Sequence, residues 1–115
     1  MNNSKTLLET IIQACDEKHA QDIVVLDMSE ISLVADYFVI CHANNERQVQ
    51  AIAREIKDTI DINKMEGFED SRWVVIDADG VLVHVFHKEE RMYYNLERLW
   101  GDATRVSVEQ GIDKQ

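Results

Sequence analysis

The segment Arg72-Trp-Val-Val-Ile-Asp-Ala-Asp-Gly-Val-Leu-Val-His-Val-Phe86 constrains the fold more than any other part of the chain. Asp79-Gly80 suits a two-residue hairpin turn of the primed type, whose central residues take positive φ. That turn pairs Ala78 with Val81 and fixes the register back along both strands. Because side chains alternate along a strand, Val74, Ile76, Val83 and Val85 then share one face. Trp73, Val75, Asp77, Leu82, His84 and Phe86 share the other. The aliphatic face reads as core and the aromatic, polar face as a surface built to meet something.

The rest of the chain supplies elements to pack against this hairpin. Leu7, Leu8, Ile11, Ile12 and Cys15 recur at helical spacing, with Asn3 or Ser4 as cap, which predicts an amphipathic helix over residues 4 to 18. Ile23-Val-Val-Leu26 and Tyr37-Phe-Val-Ile-Cys41 read as strands. About ten residues connect them, short for a parallel crossover, so they are expected to be antiparallel neighbours. Asn44 or Asn45 can cap a second helix striped by Val49, Ile52, Ala53, Ile56 and Ile60, with Gln48 placed for a capping box. This helix is expected to cross to a parallel strand at Lys64-Met-Glu66, ended by Gly67. Residues 89–100 read as one helix or two short ones, with Gly101 as the stop. The expected architecture is α/β, a mixed sheet of about five strands with the two longer helices on one side, so that two layers bury only one sheet face. Residues 1–103 form the domain, and residues 104–115, which carry no clear pattern, form a mobile or loosely docked tail.

At 115 residues without proline and with only four glycines, the chain has room for one core and none for a flexible linker. Its 22 acidic and 12 basic residues give a net charge of −10, the wrong sign for gripping a phosphate backbone. No direct nucleic-acid specificity is expected. A basic protein partner fits this charge, although solubility alone would also account for it. No apolar stretch approaches a membrane span, and Met1-Asn-Asn-Ser-Lys5 lacks the apolar segment of a signal peptide, so a cytoplasmic setting without membrane contact is expected. Cys15 and Cys41 have no ligand spacing and read as buried free thiols.

Catalytic chemistry finds little support. Asp77 and Asp79 have the spacing of a metal-binding pair but flank a turn, where aspartate serves local hydrogen bonding. Asp22, Asp27 and Asp36 suggest no metal cage, and His84 and His87 lie near no recognisable nucleophile. No glycine-rich phosphate loop occurs, so no cofactor is expected. Five of the chain's eight aromatics, Trp73, Phe86, Tyr93, Tyr94 and Trp100, fall in its last 43 residues. They form either a second small core between hairpin and C-terminal helix or an exposed platform of the kind that anchors protein interfaces.

The runs Asp22-Ile-Val-Val-Leu-Asp27, Ala35-Asp-Tyr-Phe-Val-Ile-Cys41, Glu46-Arg-Gln-Val49, Glu66-Gly67, Arg72-Trp73, Val83-His-Val-Phe86, Glu90-Arg91 and Leu96-Glu-Arg-Leu-Trp-Gly101 resemble, in order and spacing, the ribosomal silencing factor family, RsfS or Iojap. The departures are in loops: His42-Ala-Asn-Asn45 stands where members often have a Gly-Thr-Ser type turn, and a proline before Glu66-Gly67 is missing. The resemblance implies a nucleotidyltransferase-like topology without the catalytic motif; the second strand has Asp36 but Phe38 where a second acid would fall. It further implies binding to the large ribosomal subunit through ribosomal protein fourteen, so that the small subunit is sterically kept from joining, and a homodimer in some members. Carried over to this chain, the contact surface comprises Trp73, Val75, Asp77, His84, Phe86, Tyr93, Glu97, Leu99 and Trp100. Two other readings remain at this point: a divergent nucleotidyltransferase using Asp36 and Asp77, and an adaptor for some other basic protein.

Overall fold

The computed structural model describes residues 3–101 and 103–106; the side chains of residues 3, 4 and 97 are outside the description. Ten elements follow one another: α1 (Asn3–Glu17), β1 (Gln21–Asp27), β2 (Tyr37–Ala43), α2 (Glu46–Thr59), β3 (Lys64–Glu66), β4 (Trp73–Ala78), β5 (Val81–His87), α3 (Lys88–Tyr94), α4 (Leu96–Leu99) and β6 (Thr104–Val106). The strands form one mixed sheet in the order β3-β4-β5-β2-β1-β6.

The hairpin has the register its sequence dictates, from Ala78 opposite Val81 to Trp73 opposite Phe86. Asp79 and Gly80 both take positive φ, 41° and 95°, as a primed turn demands. β1 and β2 are antiparallel, as the short connection requires. The strand parallel to β2 is β5, not Lys64–Glu66 as expected: β3 lies antiparallel to β4 at the sheet margin. The composition explains the correction. β5 is apolar on both faces and can be flanked by two strands, whereas β3 offers Lys64 and Glu66, joined by a 2.8 Å ion pair, to a solvent-facing edge.

Two clusters divide the core. Leu8, Ile11, Ala14 and Cys15 of α1 and Val49, Ile52, Ala53 and Ile56 of α2 cover Val25, Val39, Val74, Ile76, Val83 and Val85. The cap of α2 is Asn45, whose side chain accepts from the Gln48 amide at 2.8 Å. The reciprocal half of the capping box goes elsewhere, since Gln48 Nε2 donates to the carbonyls of His19 and Lys18 and pins the turn after α1. The cap expected for α1 at Asn3 or Ser4 lies outside the described side chains. Cys15 and Cys41 are free and fully buried, and the contact between them, with burial, holds the Cys15 thiol well above its ordinary pKa.

The second cluster corrects the expectation that only one sheet face is buried. Leu26, Phe38, Ile40 and Phe86 on the opposite face pack with Met28 and Ala35 from the β1–β2 loop and Leu96 from α4. Left-handed Asn95, φ 50°, breaks the C-terminal helical run in two and turns α4 back over this face. The chain then continues into β6, which pairs antiparallel with β1, so residues 104–106 of the expected tail belong to the sheet. Residues 107–115, and with them most of that tail, lie outside the described residues.

Candidate partner-binding face

Trp73 opens β4, directly after the Arg72 side chain that ties this corner together. The Arg72 guanidinium reaches Glu89 at 3.2 Å, Glu46 at 3.5 Å and Glu90 at 3.6 Å, joining the start of β4 to α2 and α3. Gly67, at φ 84°, lies so close behind the strand that a Cβ there would overlap the Trp73 carbonyl oxygen. His87 starts α3 by accepting from the Glu89 amide at 3.2 Å. This fixes the helix that carries Tyr94 toward the indole.

The cross-strand pair Trp73–Phe86 stacks with ring centroids 4.9 Å apart, and Tyr94 approaches the indole at 4.7 Å. Trp73 Nε1 donates to His84 Nδ1 at 3.1 Å. Because Nδ1 accepts, a neutral His84 carries its proton on Nε2, which is buried without a hydrogen-bond partner among the described residues. Phe38 sits 4.9 Å from the imidazole, and Trp100 meets Phe38 edge-on at 5.8 Å. Burial in this aromatic shell lowers the His84 pKa to about 4. The imidazole therefore acts near neutral pH as an uncharged acceptor that fixes the indole orientation.

The nine residues singled out from sequence fall into distinct environments. Trp73, Val75, Asp77 and Trp100 are half-buried, and Tyr93 and Leu99 are 80% and 67% exposed. His84 and Phe86 are buried, so in this chain they support the face from beneath and do not line its surface. Val75 and Asp77 lie farther along β4, opposite Glu66 and Lys64 of β3, away from the Trp73 ring contacts. The Glu97 side chain is outside the description. Tyr94 and Phe38, absent from that set, complete the aromatic shell; their signal in the sequence was aromaticity alone, and only the chain reversal at Asn95 and the β2–β5 pairing bring them in. Met92, 73% exposed, extends the outer surface.

A cavity of about 740 Å³ lies beside the start of β1 and is lined by Asp22, His42, Lys88, Arg91 and Arg105, among others. Arg91 Nη1 is already committed there, donating to the Asp22 carbonyl at 2.7 Å and to His42 Nδ1 at 2.9 Å. It thereby braces the irregular β1 backbone, where Asp22 takes φ 49° and the register shifts. Among the described residues no group of three His, Cys, Asp or Glu side chains is placed to hold a metal ion, and no helix is long and apolar enough to cross a membrane.

The chain is similar to known proteins along its whole length. The family model described as ribosomal silencing factor during starvation matches residues 1–115. The ribosomal silencing factor RsfS of Bacillus subtilis is 57% identical over 97% of this chain and 99% of its own length. A crystal structure from Bacillus halodurans superposes with a TM-score of 0.81 at 50% identity, covering 90% of this chain and 99% of the other. One from Chromobacterium violaceum gives 0.84 at 30% identity, covering 98% of each. Matched by the family model along its whole length and by a named relative at 57% identity, the chain belongs to the ribosomal silencing factor (RsfS) family.

Proposed function

We propose that this domain silences translation by binding the large ribosomal subunit through ribosomal protein fourteen and occupying the place where the small subunit must dock. The observation that carries the reading is the preorganised Trp73 corner. The indole is locked by His84, stacked on Phe86 and met by Tyr94, which contacts exposed Tyr93; Met92 and Leu99 of the C-terminal helices are exposed as well. An aromatic anchor held in one orientation loses little freedom on binding, and apolar neighbours supply area that releases water. The net charge of −10 favours encounter with a basic protein surface by electrostatic steering. Steric exclusion needs no bond to be made, which accords with relatives named for regulation. A ribosome-bound role fits a cytoplasmic setting.

The test is sedimentation of the purified protein with isolated large and small subunits, followed by addition of the missing subunit. Binding to the large subunit alone, with fewer joined ribosomes, is expected; binding to neither would overturn the reading. Trp73→Arg, which puts a cation where the indole docks, is expected to lower affinity by about a hundredfold or more while the protein remains folded. Unchanged affinity in the folded variant would move the contact elsewhere.

The exposed Met92, Tyr93 and Leu99 also offer a surface for a second copy of the chain. If both partners use this corner, the dimer opens before the ribosome is bound. Sedimentation velocity with and without ribosomal protein fourteen checks this, and an intact dimer inside the complex would refute shared use. A divergent nucleotidyltransferase using Asp36 and Asp77 would be stabilised by nucleotide with magnesium, so an unchanged melting temperature rejects it.

A further inference from the structure

The β1–β2 loop, residues 28–36, is built unlike a passive connection. Ser29 donates from its amide and hydroxyl to Asp27 Oδ1 at 2.9 and 2.7 Å. The Ser32 hydroxyl accepts from the amides of Val34 and Ala35 at 3.1 and 3.2 Å. The Met28 amide donates to the Asp36 carbonyl at 2.7 Å, closing the loop at its base, and the Asp36 amide donates to the Gly80 carbonyl at 2.7 Å, tying it to the hairpin turn. Inside, Met28 and Ala35 are buried in the same cluster that roots Trp73, Trp100 and Phe86.

Outside, this fixed backbone holds Leu33 at 105% and Val34 at 85% exposure, with Ile31 at 42%. A loop with this much local hydrogen bonding has polar alternatives for its tip. Instead it presents two adjacent aliphatic side chains on a surface where contiguous apolar groups mark interaction sites. The loop itself carries charge of one sign: Glu30 and Asp36 are exposed, and no lysine or arginine occurs in the sequence between Lys18 and Arg47.

We infer that the Leu33-Val34 tip is a second docking element, fitted to an apolar notch on a basic protein surface. The inference rests on the ribosome-binding reading and adds to it a contact on the β1–β2 loop. The aliphatic pair supplies desolvated area, the acidic residues of the loop supply complementarity to cations at the notch rim, and the hydrogen-bonded loop keeps the ordering cost low. Leu33 and Val34 are removed from the core, so their replacement leaves the fold intact.

The test compares wild type, Leu33→Ser/Val34→Ser, Glu30→Lys and Trp73→Arg in binding to isolated large subunits, with melting temperatures measured alongside. The double variant is expected to bind about tenfold or more weakly at an unchanged melting temperature. Glu30→Lys is expected to weaken binding mainly at low salt. If wild type binds, Trp73→Arg fails and the double variant binds like wild type, the loop makes no contact and the inference is wrong while the function stands. If wild type does not bind, the function and the inference fall together. If the double variant instead abolishes self-association and leaves subunit binding untouched, the occupant is a second copy and the basic-partner assignment is overturned.

Discussion

The two faces of the sheet are made from the same strands and solve different problems. On the face covered by α1 and α2, aliphatic side chains meet aliphatic side chains, and nearly every contributor is fully buried. On the other, Phe38, His84, Phe86, Trp73 and Tyr94 interlock through ring contacts and one side-chain hydrogen bond, beneath short helices and a loop. The first face stabilises without directionality, because burial scales with area. The second gives up some apolar packing and leaves His84 Nε2 without a hydrogen-bond partner among the described residues, and in return orients a half-exposed indole. The pleat of the same strands thus separates uniform aliphatic packing from an oriented aromatic shell.

That separation can be broken from either side. Ile52→Ala, in the helix-covered core, is expected to cost about 2–5 kcal/mol by transfer and cavity terms. Chemical denaturation measures the loss, and subunit affinity of the protein that remains folded should be close to wild type. A parallel loss of affinity would show that the faces are coupled.

The aromatic face should carry the pH sensitivity. His84 titrates near 6.5 when unfolded and near 4 when folded, so the native state binds fewer protons between these values. Stability contributed at this site is complete above pH 6.5 and is lost as pH falls through about 4, on the order of 3 kcal/mol by pH 4. Denaturation midpoints of wild type and His84→Gln between pH 7 and pH 4 test this; equal slopes would remove His84 as the cause.

Trp73→Phe sharpens the comparison further, because it keeps a ring on Phe86 while removing the donor to His84 together with part of the indole's area. A stability loss of about 1–2 kcal/mol is expected, with a larger proportional loss of subunit affinity. An affinity equal to wild type would mean that the hydrogen bond does not set the docking posture. The smallest effect is expected at the edge of the aliphatic side. Asn45→Ala removes the α2 cap, at a cost of about 1 kcal/mol with binding unchanged.

Much of this was legible in the sequence. The hairpin register follows from Asp79-Gly80 and strict alternation, because a period of two leaves no freedom once the turn is placed. The stripe of α2 and its Asn45 cap follow from helical spacing, and the ordered motifs from Asp22 to Gly101 pointed to the ribosomal silencing factor family to which the chain belongs. Strand alternation also put Trp73, His84 and Phe86 on one face, where they make contact.

Tertiary structure decided what local pattern cannot encode. Strand order is a contest among non-local pairings, so the parallel partner of β2 proved to be β5, and a three-residue charged strand went to the edge. Whether an aromatic is anchor or core depends on what folds back over it. A left-handed turn at Asn95 and the β1–β2 loop buried Phe86 and His84, drew in Tyr94 and Phe38, and left Trp73 at the surface. Alternation told which residues share a face; the path of the covering chain, set by long-range packing, determined how much of that face meets the solvent.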